Sequence, residues 1–197
     1  MKETELTKQG IVWGGVIFII TLLWSMWYAH KTNEVPTAEI YTPVHTVERP
    51  DLTNESVVCL AMNIYHEARS DNYAGQVAVA DVTMNRVSNP RFPNTVCEVV
   101  HQAKLSEWHL QRGEEVPIKH KCQFSWFCDG LSDRPKDEDV WQQSLLLAHN
   151  IMVWHEHRGI TEGATHYHAT YVLPRWSKDR NMKLVGRIGA HVFYRQD

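Results

Sequence analysis

The apolar pattern divides the chain into three parts. From Ile11 to Ala29 the sequence reads IVWGGVIFIITLLWSMWYA, with no charged residue. That run approaches the ~20 residues that cross a bilayer as a helix. Trp24, Trp27 and Tyr28 gather at its C-terminal end, where an interfacial aromatic belt would sit. The pattern predicts a short tail over 1–10 and a single transmembrane anchor over 11–29. It also predicts an N-in, C-out orientation, because a short N-terminus precedes a large domain. Lys2 and Lys8 are offset by Glu3 and Glu5, so charge adds little. A cleaved signal peptide fits less well, since Ser25-Met26-Trp27-Tyr28-Ala29 is a poor small-residue site. A core helix would not be apolar all round over this length, and a releasable anchor would be richer in Gly and Ala. Residues 30–51, punctuated by Pro36, Pro43 and Pro50, keep no period and read as an extended linker.

Residues 52–197 form one domain with enough chain for a core. Its pattern is helical first and mixed later. Thr53 or Asn54 can cap a helix reaching about Arg69, with Val57, Leu60, Ala61, Ile64 and Ala68 on one face. A second helix runs over about 73–87, with Val77, Ala78, Ala80, Val82 and Met84. Two prolines make 88–94 a loop. A short helix follows near 95–102, and a long one spans about 137–155, carrying Val140, Trp141, Leu145, Ala148, Ile151 and Met152. After Gly159, residues 165–170 and 191–195 alternate and predict a small hairpin or sheet. The fold class is α+β and mainly helical.

Charge narrows the function classes. Hydrophobic residues are 43%, charged residues 22%, and the net charge is −3. No basic domain points to nucleic acid, so no nucleic-acid partner is expected. The four cysteines, Cys59, Cys97, Cys122 and Cys128, form no C-x-x-C pair. They fit either two disulfides or four buried thiols.

Glu67 is the first candidate for chemistry. It lies three residues after Ile64 and seven after Leu60, which places it beside the buried helical face. A carboxyl there is partly desolvated and holds its proton to higher pH, as a general acid must. The competing reading is a helix-end Glu paired with Arg69 or Arg86. Asp71 and Asp81 are the carboxylates that could complete a two-carboxylate site, though Asp81 reads as a solvated or capping group. Gln123, Phe124, Ser125 and Trp126 could bind a sugar, since aromatic faces stack on rings and an amide binds N-acetyl groups; the alternative is a core loop. Alternation puts Thr165 and Tyr167 on one strand face and His166 on the other. Tyr73, Gln76 and Asn85 are weaker candidates, and Asn85 with Arg86 could instead hold the helix end to the following loop. The 12 histidines invite a metal test. His155-Glu156-His157 is not H-E-x-x-H, and on a helix its two histidines would project about 200° apart. His166 and His168 share a strand face and could chelate.

Seven blocks then carry a resemblance: CLAMNIYHEARS at 59–70, GQVAVADVTMNRV at 75–87, FPNTVCEVVHQ at 92–102, CQFSWFCDG at 122–130, GATHYHA at 163–169, LPRW at 173–176 and IGAHVFY at 188–194. In this order, over about 56–195, the chain resembles the SleB/CwlJ-type cell-wall hydrolases, a spore cortex-lytic enzyme-like family with bacterial and phage members. The resemblance implies a lysozyme-like helical catalytic domain with a small β element and peptidoglycan as substrate. It implies cleavage between N-acetylmuramic acid and N-acetylglucosamine by a lytic transglycosylase, with Glu67 as the catalytic glutamate of the block I-Y-x-E-A-R. It places 165–167 near the cleft, and it carries over no metal role and no cofactor. Cys59 and Cys97 fall inside family blocks, which favours structural roles; Cys97–Cys122 with Cys59–Cys128 is one of three possible disulfide pairings. The chain departs from the family at His66, Ser70 and Asp71, where Gly is common, and carries a charged insert over 104–121 expected as a cleft-edge loop. The anchor would then place an inner-membrane, single-pass enzyme with its catalytic domain on the periplasmic side, in wall remodelling or phage-type lysis. A two-carboxylate muramidase, an N-acetylmuramoyl-L-alanine amidase and a non-catalytic peptidoglycan tether are the other readings.

Overall fold

A computed structural model of the chain describes the backbone of residues 3–32 and 51–197, and the side chains of 17–31 and 51–197. Met1–Val47 and Glu48–Asp197 are two units. The first contains one helix, α1 (Glu3–Thr32). Among the described residues no helix is long and apolar enough to cross a membrane. This corrects the expected anchor over 11–29, its contact with a lipid bilayer and the inner-membrane location built on it. The physical reason lies in polarity: the helix includes Thr21 and Ser25, whose hydroxyls donate back to the carbonyls of Phe18 (2.9 Å) and Leu22 (2.8 Å), and its last turn carries His30 and Lys31. The expected linker lies almost wholly outside the described residues.

In the second unit, polar side chains start each main helix. Asn54 accepts from the Ser56 amide (3.0 Å) ahead of α2 (Glu55–Ala68), and Asn72 accepts from the Gly75 amide (2.9 Å) ahead of α3 (Tyr73–Val87). Thr95 caps α4 (Val96–Val100). Such caps satisfy amides that have no partner within the helix. The charged stretch expected as a cleft-edge loop instead forms β1 (Ala103–Leu105), a short α5 (Glu107–Leu110) and β2 (Pro117–Cys122), with β1 and β2 antiparallel. Lys119 and Lys121 are exposed on β2, so no apolar alternation marked it. Asp137 caps α6 (Glu138–Val153) through the Val140 amide.

α2 is the central helix and packs on α6, α3 and α4. Leu60 and Ile64 of α2 meet Val77 and Ala80 of α3, Val99 of α4, and Ala148 and Ile151 of α6 in one buried core. The residues that made the 3.6-residue stripe are the ones buried. The second layer is an antiparallel sheet of β3 (His166–Ala169), β4 (Met182–Ile188) and β5 (His191–Gln196), in the order β3-β5-β4. Tyr167 pairs with Phe193 and Ala169 with His191. Ala78 and Val82 of α3 pack with Ala164 and Phe193, which fastens the sheet to the helices. The fold is therefore α+β, with β4 as a strand that the alternation over 165–170 and 191–195 did not include.

The disulfides are Cys59–Cys97, between α2 and α4 (Cα–Cα 5.3 Å), and Cys122–Cys128, between the end of β2 and the turn over 125–128 (6.1 Å). The Cys97–Cys122 and Cys59–Cys128 alternative is not the one adopted, because α4 lies against α2. Their sequence separations are 38 and 6 residues. By loop-closure entropy, replacing the first pair with Ser should cost about 4 kcal/mol of stability and replacing the second about 2. Urea unfolding of the two double variants checks the order.

Candidate active site

Glu67 sits in the last turn of α2, and its Oε2 accepts a hydrogen bond from the Tyr167 hydroxyl (3.1 Å). Burial raises the Glu67 pKa above the ordinary carboxylate value, and this outweighs the lowering by the Tyr167 hydrogen bond and the Arg86 charge. Burial and the neighbouring Glu67 push Tyr167 well above the usual phenol range, so it stays a donor. Arg86, 2% exposed, lies behind this pair. Its Nε donates to the Thr165 carbonyl (2.7 Å), and its two terminal nitrogens donate to the Gln123 amide oxygen (3.2 and 3.1 Å) in the amide orientation that satisfies both groups. Its guanidinium also lies over the rings of Phe92 (5.3 Å) and Phe124 (5.2 Å). Burial brings its pKa down to about 10, which leaves it charged at neutral pH.

These groups line a cleft of about 930 Å³. On one side His66 stacks on Trp126 (centroids 4.6 Å) and donates from Nε2 to the Asp133 carbonyl (2.9 Å). Trp126 Nε1 donates to Asn63 Oδ1 (3.2 Å), and Asn63 donates to Thr83 (3.1 Å), a buried polar chain from the cleft wall to α3. The Tyr65 hydroxyl accepts from the amides of Lys136 (3.0 Å) and Asp137 (3.1 Å), which holds the 129–137 rim to α2. On the other side lie His168, Tyr171 and His191. His191 Nδ1 bonds Asp71 Oδ2 (3.2 Å), and its ring stands edge-on to Tyr167 (5.1 Å). The arrangement is a carboxyl of raised pKa at an open cleft with aromatic and amide walls, a geometry that can serve acid catalysis.

A model of the Cell Wall Hydrolase family matches residues 70–194. The chain belongs to the Cell Wall Hydrolase family. It is similar to the spore cortex-lytic enzymes of Bacillus subtilis (44% identical over 50 residues, 25% of this chain and 16% of that one) and Bacillus cereus (40% over 52 residues, 26% and 20%). The matched stretch thus spans a fifth or less of these relatives. The chain is also similar to the crystal structure of the catalytic domain of Bacillus cereus SleB (25% identity, TM-score 0.44, 71% of this chain and 89% of that one). It is similar as well to the catalytic domain of the germination-specific lytic transglycosylase SleB of Bacillus anthracis (23%, 0.45, 71% and 93%).

Of the residues singled out in this Cell Wall Hydrolase chain, Glu67, Gln123, Phe124, Ser125, Trp126 and Tyr167 share the cleft. Thr165, on the same strand face as Tyr167, is buried, with its Oγ1 at the His166 ring (3.0 Å) and its carbonyl on Arg86. Tyr73 is exposed beside the His157 ring, and Gln76 donates to the Asp71 carbonyl (3.2 Å). Asn85 donates to Thr161 Oγ1 and the Ala164 carbonyl (3.0 Å each), so Asn85 and Arg86 hold α3 to the segment before β3, while Arg86 also meets Phe92 of the loop that follows α3. Asp81 is 1% exposed, not solvated. It accepts from Arg158 Nε (3.2 Å), the Gly159 and Thr161 amides (3.0 and 3.1 Å) and Thr161 Oγ1 (2.6 Å). Among the described residues no group of three or more His, Cys, Asp or Glu side chains is placed to hold a metal. His168 is engaged by the Tyr194 hydroxyl (3.1 Å) and the Ala169 carbonyl (2.9 Å). Arg86 and His191 were the residues missed. For His191 a signal existed: it shares a strand face with Phe193, the partner of Tyr167.

Because the folded pKa of Glu67 is raised, the native state binds its proton more tightly than the unfolded chain does. The group therefore costs stability as pH rises from the unfolded value of 4.5 through the folded one. Glu67→Gln is expected to raise the melting temperature at pH 7, and the gain should vanish below about pH 4. Thermal unfolding of both proteins at the two pH values checks the sign.

Proposed function

We propose that this protein degrades peptidoglycan by cleaving the glycan strand between N-acetylmuramic acid and N-acetylglucosamine as a lytic transglycosylase, with Glu67 as its catalytic acid. The observation that carries the reading is the Glu67 carboxyl: desolvated, held by Tyr167 and facing the cleft. Membership of the Cell Wall Hydrolase family supports the substrate, and the spore cortex-lytic names of its relatives agree with it. A helical lobe and a small sheet flanking the cleft also fit a lysozyme-like arrangement, with residues 52–197 as the catalytic domain.

The chemistry needs one carboxyl group. In its protonated form, which burial favours, Glu67 delivers its proton to the oxygen of the departing N-acetylglucosamine as the glycosidic bond breaks. The C6 hydroxyl of the muramic acid attacks the anomeric carbon, and the Glu67 carboxylate takes the hydroxyl proton, which restores the acid and closes a 1,6-anhydro ring. Tyr167 keeps the carboxyl aimed, and the Arg86 charge eases the interval in which Glu67 is ionised. A muramidase would need a second carboxylate to activate water. Asp81 is committed to the 158–161 turn, and Asp71 to Ala190, Asn72 and His191. Asp129 and Asp137 at the rim bond the Leu131 and Val140 amides.

Mass spectrometry of peptidoglycan digested by the full chain should show anhydromuropeptides. Glu67→Gln should lose about 10²–10⁴-fold in rate. Reducing-end muropeptides would instead mean a hydrolase and promote Asp133 to second carboxylate; free stem peptides, or loss of activity in EDTA, would mean an amidase. Tyr167→Phe removes a hydrogen bond that lowers the Glu67 pKa, so the basic limb of kcat/KM should move to higher pH. Initial rates across the pH range decide this, and a shift to lower pH would contradict the role of Tyr167.

A further inference from the structure

Asp71 is built into the fold more firmly than a surface carboxylate between two helices requires. Its Oδ1 accepts from the Asn72 amide (2.8 Å) and its Oδ2 from the Ala190 amide (2.9 Å) and His191 Nδ1 (3.2 Å). Two glycines clear space for it. A Cβ on Gly75, in the first turn of α3, or on Gly189, at the β4–β5 turn, would collide with the Asp71 carboxylate. Gly189 also has φ +58°, where glycine is favoured. The result is a carboxylate clasped between α3 and the β4–β5 turn, with one side-chain partner, His191.

That partner lines the cleft, edge-on to the ring of Tyr167, whose hydroxyl bonds Glu67. With Asp71 accepting at Nδ1, the neutral ring carries its proton there, and Nε2 is an acceptor left for the cleft. We propose that Asp71 fixes His191 so that its Nε2 accepts a hydrogen bond from a sugar hydroxyl of the bound glycan, which makes His191 a second catalytic residue beside Glu67 and Asp71 its positioning residue. This rests on the glycan-cleaving reading above. An aligned hydroxyl at the scissile bond is what intramolecular attack needs, since the ring closes only from a narrow range of orientations.

The charged and titratable groups facing His191 are Asp71 from the α2–α3 turn and Tyr167 and His168 from β3. Glu67 and Arg86 lie beyond Tyr167, and Arg187 donates to the Gly189 carbonyl at the adjoining turn. Burial holds the His191 pKa below the ordinary value against the opposing pull of Asp71, so the ring is neutral at pH 7. Acidification would protonate Nε2 and turn the acceptor into a donor.

The test is the rate of anhydromuropeptide release from purified peptidoglycan against pH, for the full chain, His191→Gln, Asp71→Asn and Glu67→Gln. The wild type should lose kcat on the acidic side. His191→Gln keeps an acceptor that does not titrate, so its acidic limb should disappear while the optimum falls about 10-fold. Asp71→Asn should lower kcat by about 10–100-fold with little change in KM. Its acidic limb should move to lower pH, because Asp71 raises the His191 pKa. An unaltered acidic limb in His191→Gln overturns the proposal, as does a fall in melting temperature and rate with no change of pH profile. Nitrogen-15 histidine spectra of the wild type stand independently of variant folding: a neutral His191 protonated at Nε2 also overturns it. If Glu67→Gln is as active as the wild type, the glycan-cleaving reading falls instead; an inactive Glu67→Gln beside an unaltered His191→Gln profile overturns only the role of His191.

Discussion

The buried guanidinium of Arg86 is the constraint on which the site depends. A charge removed from water is costly unless its donors are satisfied. Here the satisfaction is spread over separate segments: the Thr165 carbonyl ahead of β3, the Gln123 amide after β2, and the rings of Phe92 and Phe124. They lie in three separate stretches of the chain, at Phe92, at Gln123–Phe124 and at Thr165, and each is fixed relative to α3 by the need to serve one cation. Thr165 is two residues before Tyr167, and Gln123 begins the stretch that carries Phe124 and Trp126 to the cleft. Seating Arg86 therefore sets the position of the Tyr167 hydroxyl and of one cleft wall together. The same charge reaches Glu67 and draws its pKa down, yet desolvation is the larger effect and the pKa stays above the ordinary carboxylate value.

Three carboxylates of similar sequence setting are sorted by their surroundings. Glu67, Asp71 and Asp81 lie within fifteen residues, on two consecutive helices and the turn between them. Asp81 is consumed by a turn: two amides, a hydroxyl and a guanidinium leave it no lone pair for a substrate. Asp71 is consumed by backbone amides and one histidine. Glu67 receives a single neutral donor, and beyond it only the longer-range pull of the Arg86 charge, which desolvation outweighs. Asp71 and Asp81 are fixed in place by several donors, whereas Glu67, desolvated and bonded to one hydroxyl, has its pKa raised.

How much of this was legible follows from the range of the interactions. The helices α2, α3 and α6 and the burial of Glu67 beside their core were readable because a 3.6-residue stripe is a local signal and burial follows it directly. The strands β3 and β5 were readable by alternation for the same reason. Asp81, read as solvated or capping, does cap a turn but is buried, and its burial was not legible because its partners are 77–80 residues away, in a turn whose shape no local pattern announces. Arg86 looked like a helix-end cation for the same cause. The disulfides were open among three pairings because a cysteine carries no mark of its partner, and only the packing of α4 on α2 selects Cys97 for Cys59. The N-terminal run misled in the opposite way: an uncharged stretch reads as uniformly apolar, although Thr21 and Ser25 interrupt it.

The position of Glu67 along its helix adds a further contribution. α2 ends at Ala68, so the carboxyl lies in the last turn, where unpaired carbonyls give the helix a partial negative charge. An ionised carboxylate is disfavoured there, and burial of the site prevents water from screening the effect. Asp71 stands across the chain reversal, just ahead of α3, where free amides give a partial positive charge and Asn72 and Ala190 supply donors. The two acids are four residues apart and sit at helix ends of opposite sign. A helix–turn–helix of this length thus separates a carboxyl of raised pKa from a hydrogen-bonded anchor using backbone polarity, and the sheet completes the division by giving Tyr167 to the first and His191 to the second.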